Sequence, residues 1–471
     1  MIDYNINTIL EENIQPYLGC TDISIVALGA SLAMAATYSH IPSWLAPSTN
    51  SYTKPSAENI VDMHIEVNES LYKNSHSTGI PYVLGYEGIY HSTAIGLFCS
   101  PEKQLNLLEN VTPNDIESMK KIITEKKITI HIISNTTTPL YFHCKVQRKQ
   151  GDKIIVGESC MQDTYTTVVY LKQDGNFIYQ KTYKNQIQEN ENISWTIQDF
   201  VEQLPNLSPA VYKKLEETVQ MNTKAYEYGL QHACGLGIGA GLQKLALKNK
   251  TSNDIANVAA YRTAAAEDVR MSGQIIPVMG IGGSGSHGIT ASIPIITVVE
   301  QNQINSQKLY QSIALSFLIT EEMRKLIGYL TVPCGCIIKA GVGATAGIAF
   351  ALDGTILQIE NAINNFLTST AGVICDGGKT TCSIKLANAA NNACKSAFLA
   401  LENVFCVHEF GGIVQKNFQK NLLNLTQLSK AMQPLDTVII QTGFCETPRI
   451  GSCEILKTGS CEMPSKNSEE K

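Results

Sequence analysis

The sequence predicts an α+β fold in which a helical domain, rich in small residues and built from both chain ends, carries an inserted α+β domain. Helical spacing of apolar residues dominates the start of the chain and the part after residue 195, whereas short β-rich segments fill 55–190. A chain of 471 residues, 44% of them hydrophobic, can bury one or two large cores. The predicted divisions are the first part of the helical domain at 1–50, the inserted domain at 51–190, the main part of the helical domain at 191–440 and a flexible tail at 441–471.

The first helical region extends from residue 4 to about residue 40 and is interrupted at Pro16. Thr21 and Asp22 are good cap residues, so a second helix is expected to begin there, with Cys20 at its N-terminus. The N-terminal stretch carries acidic residues where a secretory signal needs positive charge followed by an apolar segment. We therefore expect a cytoplasmic protein.

The inserted region is predicted to contain short strands and one clear helix. That helix begins after Pro113 and Asn114, because proline is favoured in the first turn. After residue 195 the helical pattern returns in long segments that are dense in alanine and glycine. Small residues let helices approach closely, so these segments predict a tightly packed helical domain. The predicted strands lie in VDMHIEVNESLY, ITIHIISN, LYFHCKVQ, KIIVGES, TYTTVVYL and NFIYQKTY.

Charge and hydropathy exclude two classes of partner. The formal net charge is −6, only 17% of the residues are charged, and no basic cluster resembles a phosphate-binding footprint, so nucleic acid is not an expected partner. The weakly polar runs at 23–38 and 340–352 are shorter than the ~20 apolar residues of a membrane-spanning helix. They are expected to be buried helices, and no membrane association is predicted.

The fourteen cysteines are too few for a disulfide scaffold. In a reducing cytosol, closely spaced cysteines are more often metal ligands or catalytic thiols than cross-links. Three groups stand out: Cys20 in LGCTD, Cys334 and Cys336 in PCGC, and Cys375 and Cys382 in ICDGGKTTC. The remaining cysteines before the tail are interpreted as small core or surface residues. In the tail, the pattern GxCE occurs three times. We expect a flexible or surface-lying tail, and the alternative is that its cysteines take part in metal handling.

Two glycine-rich stretches resemble nucleotide-binding motifs without meeting their requirements. GGKTT at 377–381 lacks the glycine that a P-loop needs at position 373, which is valine. GLGIGAG at 235–241 lies in a predicted helical segment without the strand-turn-helix context of a dinucleotide fold. Close helix packing is the preferred interpretation of the second stretch.

The segment PVMGIGGSGSHGITASIP at 277–294 is a stronger candidate for a binding site. Five glycines fall within nine residues and alternate with Ser284, Ser286 and His287. The backbone N–H groups and hydroxyls of such a loop can close around a small anion such as a carboxylate. The alternative is a long turn without a ligand.

The cysteine groups predict a second candidate site, formed by two cysteine-bearing loops. Cys375 and Cys382 lie on a loop that leads into a helix beginning near Ser383, where the helix dipole favours thiolate. Together with Cys334 and Cys336, two loops supply enough thiolates for a metal cluster with an open position for substrate. Spacing alone leaves open a zinc site, an iron-sulfur cluster and plain buried cysteines.

Four stretches occur in an order that is specific to one group of proteins: YLGCTD, AAAEDVRMSG with PVMGIGGSGSHGITASIP, CGCIIKAGVGATAGIAF, and AGVICDGGKTTCSIKLA. Through them, residues 5–435 resemble the L-cysteine desulfidase family, relatives of the iron-sulfur L-serine dehydratase alpha chain. The resemblance implies a lyase without pyridoxal phosphate that uses an oxygen-sensitive 4Fe-4S cluster. It also implies conversion of L-cysteine to pyruvate, ammonia and hydrogen sulfide, and makes a homodimer plausible.

The resemblance also implies roles for particular residues. Cys375, Cys382 and one of Cys334 and Cys336 would hold the cluster, and the sequence does not decide which of that pair is the ligand. Cys20 would be an additional catalytic thiol, either the base that removes the α-proton or an occupant of the open iron until substrate arrives, with its pKa lowered by the helix N-terminus. The expected carboxylate-binding residues are Arg270, Ser284, Gly285, Ser286 and His287.

Departures from the family pattern bear on substrate choice. LGCTDI stands where LGCTEP is usual, GGSGSHG replaces SGSGNQG, Tyr165 occupies a position where histidine is common, and the inserted region lacks a lysine-rich stretch. The alternatives are therefore a dehydratase acting on L-serine or another 3-substituted amino acid, and a non-catalytic cluster or zinc protein that senses cysteine, sulfide or oxygen. A pyridoxal-phosphate enzyme is a weaker alternative, with Lys339, Lys379 and Lys385 as candidate Schiff-base lysines.

Overall fold

A computed structural model of the chain describes residues 5–47, 52–134, 136, 138–181, 195–406 and 412–443. It is mixed helix and sheet, so the predicted α+β class is confirmed. The helices among these residues are α1 Ile6–Asn13, α2 Thr21–Ala36, α3 Glu69–Ser75, α4 Gly88–Gly96, α5 Pro113–Thr124, α6 Ile197–Gln203, α7 Pro209–His232, α8 Ile238–Leu247, α9 Ile255–Met271, α10 Gly285–Gln301, α11 Ser306–Ile327, α12 Val342–Ala351, α13 Ile356–Thr370, α14 Cys382–Leu401, α15 Phe418–Met432 and α16 Leu435–Gly443. The strands are β1 Ile14–Tyr17, β2 Ile60–Asn68, β3 Ile128–Ile133, β4 Tyr141–Gln150, β5 Lys153–Gln162, β6 Val168–Gln173, β7 Asn176–Gln180 and β8 Val278–Ile281.

The larger sheet has the order β3-β2-β4-β5-β6-β7. Strands β2 and β3 are parallel, and the other neighbours are antiparallel, with Ile65 opposite Ile130 on one side and Cys144 on the other. Buried Met63, Ile65 and Val67 alternate with more exposed polar residues along β2, which is the period-two pattern of a sheet with one covered face.

Helix α2 covers the buried face of this sheet, and all of its residues are buried. The approach is close enough to require glycine on both elements, because a Cβ at Gly157 would overlap the carbonyl oxygen of Ala33, and one at Gly29 would overlap the Phe142 ring. The sequence assigned 1–50 to the helical domain, whereas α2 packs on the sheet. The division of the chain into domains otherwise stays a prediction.

The second core belongs to the helices after residue 195, together with α1. Helix α10 lies against α9, α11 and α12, and its residues up to Val299 are buried. Strand β1, which the sequence pattern predicted only as a break at Pro16, pairs antiparallel with β8, with Ile14 opposite Ile281. This pairing ties the N-terminal segment to the strand that precedes the glycine-rich turn.

The structure corrects one helix prediction. The segment that contains GLGIGAG is two helices, because α7 ends at His232 and α8 begins at Ile238, with Gly235 and Gly237 at φ of 58° and 64° between them. Gly239 does provide the predicted close packing, since a Cβ there would lie 2.4 to 2.5 Å from atoms of Ala265. The GxCE repeats lie outside the described residues. Among the helices of the described ranges, none is long and apolar enough to cross a bilayer.

We predict that Gly157→Ala lowers the free energy of unfolding by about 1–3 kcal/mol, because the added methyl group overpacks the interface between β5 and α2. Gly241→Ala is the matched control, since no atom lies within 4 Å of a Cβ at this exposed helical position. The control should stabilise the protein by ~0.5–1 kcal/mol. Urea unfolding of both variants measures the two effects, and an unchanged midpoint for Gly157→Ala would contradict the packing described.

Candidate active site

A cavity of about 90 Å³, partly open to solvent, lies where the sheet domain meets the helices. Its wall is formed by elements that are distant in sequence, and it collects the cysteine groups, the glycine-rich segment and the end of α9. We call it the central cavity. Its lining residues include Cys20, Asp22, Tyr165, Glu267, Arg270, Ser284, Ser286, His287, Cys334, Cys336, Cys375 and Cys382.

Backbone pairing joins the two loops that carry four of these cysteines. The amide of Cys334 donates to the carbonyl oxygen of Val373 at 2.8 Å, and the amide of Cys375 donates to that of Val332 at 2.7 Å. The Cys334 thiol is within hydrogen-bonding contact of the thiols of Cys336 and Cys375. Cys382 begins α14 and lies on the same cavity wall. The structure thus brings all four cysteines predicted as metal ligands to one place.

Burial makes these thiols reluctant to ionise. The hydrogen bond with Cys334, together with burial, raises the pKa of Cys375 well above its ordinary value, and burial does the same to the pKa of Cys382. The sequence predicted that the N-terminus of α14 would favour thiolates. In the protein without a bound metal this expectation is wrong, because desolvation of the two thiols raises their pKa more than the helix dipole lowers it.

The donor set fits an iron-sulfur cluster. Thiolate sulfurs are the ligands that iron-sulfur clusters take from proteins, and ligation removes the thiol protons that burial retains. In the described ranges, no three His, Cys, Asp or Glu side chains converge closely enough to hold one metal ion. The choice between Cys334 and Cys336 stays open.

Cys20 also lines the central cavity, at the N-cap position of α2 as predicted. Its Sγ donates to Oδ2 of Asp22 at 3.3 Å, and the hydroxyl of Tyr165 donates to Oδ1 of Asp22 at 3.2 Å. Burial, followed by the Asp22 charge, raises the pKa of Cys20 to about 12. The prediction that the helix terminus lowers the pKa of Cys20 is therefore wrong, because a buried thiol beside a carboxylate resists ionisation.

The carboxylate-binding prediction falls on a buried ion network. Arg270 Nη1 donates to Ser286 Oγ at 2.7 Å, and Ser286 Oγ donates to Glu267 Oε1 at 2.6 Å. Arg270 is 3% exposed and Glu267 is 1% exposed. Within the described part of the chain, Arg270 Nε and Glu267 Oε2 have no hydrogen-bond partner. Buried polar atoms are rarely left without partners, so this pair is prepared to receive a polar ligand.

Sequence reasoning missed Glu267 and Asp22 as site residues. Glu267 precedes Arg270 by three positions on α9, a spacing that places two side chains on the same face of a helix and could have identified it. Asp22 was assigned only a capping role. Its contact with Tyr165 depends on the packing of α2 against the inserted domain, which no local pattern shows.

The glycine-rich segment forms a strand, a tight turn and the start of a helix, where the sequence predicted a loop around a small anion or a long turn. Gly282 and Gly283 make the turn with φ of 60° and 86°, and Ser284 caps α10 by accepting from the amide of His287 at 3.3 Å. Gly285 must lack a side chain, because a Cβ there would lie 2.5 Å from Arg270 Nε. The N-terminus of α10 therefore begins at the cavity, where its dipole favours an anion.

His287 is buried in the first turn of α10, and among the described residues its Nδ1 has no hydrogen-bond partner. Burial, followed by the charges of Lys339, Arg324 and Arg270, lowers the pKa of His287 well below its usual value. A neutral imidazole of this kind can orient a ligand by hydrogen bonding but adds no charge to the cavity.

The candidate Schiff-base lysines are all engaged in hydrogen bonds. Lys339 Nζ donates to the carbonyl oxygens of Gly328 and Tyr329 at 2.6 and 3.1 Å, and burial lowers its pKa to about 8. Lys379 and Lys385 both pair with Asp376. This geometry favours the cysteine site over a pyridoxal-phosphate site.

Comparison with known proteins agrees with the motifs. The family model of the serine dehydratase alpha chain matches residues 102–441. A UPF0597 protein of Desulfotalea psychrophila is 31% identical over 450 residues, covering 93% of this chain and 98% of the relative. A UPF0597 protein of Clostridioides difficile is 29% identical over 442 residues, covering 92% and 97%. The names of these two relatives specify no substrate.

We predict that Asp22→Asn accelerates alkylation of Cys20 by iodoacetamide at each pH, because the carboxylate charge is the second cause of the raised pKa. Peptide mass spectrometry between pH 7 and 10 follows the rate, with buried Cys144 and exposed Cys406 as internal references. A slower reaction of Cys20, or an equal acceleration of Cys144, would contradict the electrostatic coupling.

Proposed function

We propose that this chain, which belongs to the serine dehydratase alpha chain family, is an iron-sulfur lyase that converts L-cysteine to pyruvate, ammonia and hydrogen sulfide by α,β-elimination. One observation carries the proposal. The thiols of two cysteine loops line the same cavity as the Glu267–Arg270 pair, whose side-chain atoms Oε2 and Nε have no partner among the described residues. The family supports a dehydratase or lyase type of activity.

Cys375, Cys382 and one of Cys334 and Cys336 are the residues that would hold a 4Fe-4S cluster. With one iron open to substrate, a bound cluster would supply a Lewis acid for the β-substituent of the amino acid. The protein's own contribution is to present thiols on loops that backbone hydrogen bonds hold together, and to surround them with a largely buried wall.

The Glu267–Arg270 pair matches the two charged ends of an α-amino acid. Arg270, aided by the N-terminus of α10, is suited to the carboxylate, and Glu267 is suited to the ammonium group. The Ser286 hydroxyl accepts from Arg270 and donates to Glu267, so it sets the spacing between them. With the carboxylate and the ammonium group both bound, the rest of the cavity would determine the position of the β-substituent.

Cys20 is the proposed base for the α-proton. Its thiol already donates to Asp22, so transfer of that proton to Oδ2 produces a thiolate and a neutral carboxyl group. Burial raises the pKa of Asp22 as well as that of Cys20, and the Asp22 carboxylate is the acceptor that already holds the thiol proton in a hydrogen bond. The thiolate then takes the α-proton while the bond from the β-carbon to sulfur breaks, and the Asp22 carboxyl group gives its proton to the departing sulfide. The resulting aminoacrylate tautomerises to an imine, which water hydrolyses to pyruvate and ammonia.

L-Serine is the second candidate substrate, because the matched family is named for serine dehydratase. The same elimination would then release water instead of sulfide. Tyr165, which bonds to Asp22, replaces a histidine that is common in the desulfidase-like sequences, and this substitution bears on the choice between the two substrates.

The direct test gives anaerobically purified, iron-reconstituted protein L-cysteine or L-serine and measures sulfide, pyruvate and ammonia. We predict equal amounts of sulfide and pyruvate from L-cysteine, with loss of activity on exposure to air. Pyruvate from L-serine alone would assign the protein as a dehydratase. No product from either substrate, despite an intact cluster spectrum, would reject the lyase proposal in favour of a sensor.

We predict that Ser286→Ala raises KM for the amino acid at least about tenfold, because it releases Arg270 and Glu267 from their fixed spacing. Ser292→Ala is the matched control, since Ser292 is equally buried and hydrogen-bonded on the same helix but does not line the central cavity. Both variants should lose about 1–3 kcal/mol of stability. Equal KM values for the two variants would contradict the proposed role of Ser286.

A further inference from the structure

A buried ion pair lies outside the wall of the central cavity and takes no part in the proposed chemistry. Lys73 Nζ donates to Oδ1 of Asp436 at 2.5 Å, and the two side chains are 0% and 1% exposed. The hydroxyl of Ser70 donates to the other carboxylate oxygen of Asp436. An ion pair that is completely removed from water is stable only when its hydrogen bonds are well aligned. Loss of one partner leaves an uncompensated buried charge.

This pair joins two helices that are far apart in sequence. Lys73 and Ser70 lie on α3, and Asp436 lies in the first turn of α16. A hydrogen bond from Thr437 to Glu69 adds a second link at the same junction. We call Asp436 with Lys73 and Ser70 the C-terminal clasp.

The loop that carries Cys375 rests directly on α3. Cys375 Sγ donates to Oδ1 of Asn74 at 3.7 Å, next to Lys73 in sequence. A Cβ at Gly377 would overlap the carbonyl oxygen of Lys73, and one at Gly378 would lie 2.6 Å from that of Asn74. The loop therefore follows the backbone of α3 with no space for a side chain between them.

We propose that Asp436 is a positioning residue, which fixes α3 through the C-terminal clasp and thereby holds the Cys375 loop in the geometry that the central cavity requires. Asp436 touches neither the cysteines nor the cavity, so its action passes through Lys73, Asn74 and the two loop glycines. The inference rests on Cys375 belonging to the thiol site and is independent of the substrate.

A continuous series of contacts connects Asp436 with the Cys375 loop. Without the Asp436 charge, the buried Lys73 ammonium is left uncompensated, and in the proposed mechanism its movement towards water displaces α3. Asn74 and the two carbonyl oxygens against Gly377 and Gly378 move with that helix. The loop then opens locally more often, while the helical core around Cys394 stays closed.

The experiment measures thiol exposure, so that its result is separate from the test of the lyase activity. The full-length chain, purified anaerobically under reducing conditions and without added iron, receives a pulse of iodoacetamide, and peptide mass spectrometry measures the labelling rate of each cysteine. The test variant is Asp436→Asn. Ser70→Ala, which keeps the ion pair and removes one hydrogen bond, is a milder variant should Asp436→Asn fail to fold. Leu215→Ala, a truncation in the core away from α3, is the control for general destabilisation.

We expect Asp436→Asn to raise the labelling rate of Cys375 by about tenfold, with a smaller rise in Ser70→Ala, through local opening of the loop. The rate of buried Cys394 should stay unchanged in both. An unchanged Cys375 rate in folded Asp436→Asn and in Ser70→Ala would overturn the proposal. So would an equal rise in Leu215→Ala, or a parallel rise at Cys394, because either result would show that the clasp contributes only general stability.

Discussion

The site depends on a short stretch of backbone pairing between residues 332–334 and 373–375. Two hydrogen bonds, at 2.8 and 2.7 Å, fix these loops so that Cys334 and Cys375 come into contact, although α12 and α13 separate them in sequence. Helix α14 then begins with Cys382 on the same wall. The small residues of α10 and α12 allow the surrounding helices to pack closely behind these loops.

Burial dominates the electrostatics of the central cavity. It raises the pKa of Cys20 and Cys382, and the hydrogen bond with Cys334, together with burial, raises the pKa of Cys375, so the thiols stay protonated until a stronger cause removes their protons. In the proposed function, metal ligation would be such a cause at the cysteine loops, and proton transfer to Asp22 would be one at Cys20. The Glu267–Arg270 pair lines the same cavity and contributes opposite charges whose spacing Ser286 sets. The proposed metal, substrate and base roles thus belong to different residues of one cavity.

The sequence predicted the α+β class, the helix at Pro113 and the position of Cys20 at a helix start, because each has a local signal of periodicity or capping. It did not predict β1, whose conformation depends on pairing with β8 far along the chain. The ordered motifs led to the four cysteines, but their meeting required the contact of two loops. The role of Asp22, and the direction of the thiol pKa shifts, depend on burial that only the packed structure defines.

Iron binding by single-cysteine variants is the most direct test of the account. The wild-type chain, Cys375→Ser and Cys394→Ser would be reconstituted anaerobically, and iron and acid-labile sulfide would be measured per chain alongside the visible absorption spectrum. Cys394 is a buried cysteine of the helical core that does not line the central cavity, so its variant should keep the wild-type content. The account predicts a cluster in the wild type and in Cys394→Ser and its loss in folded Cys375→Ser. A full cluster in Cys375→Ser, or none in the wild type, would contradict it.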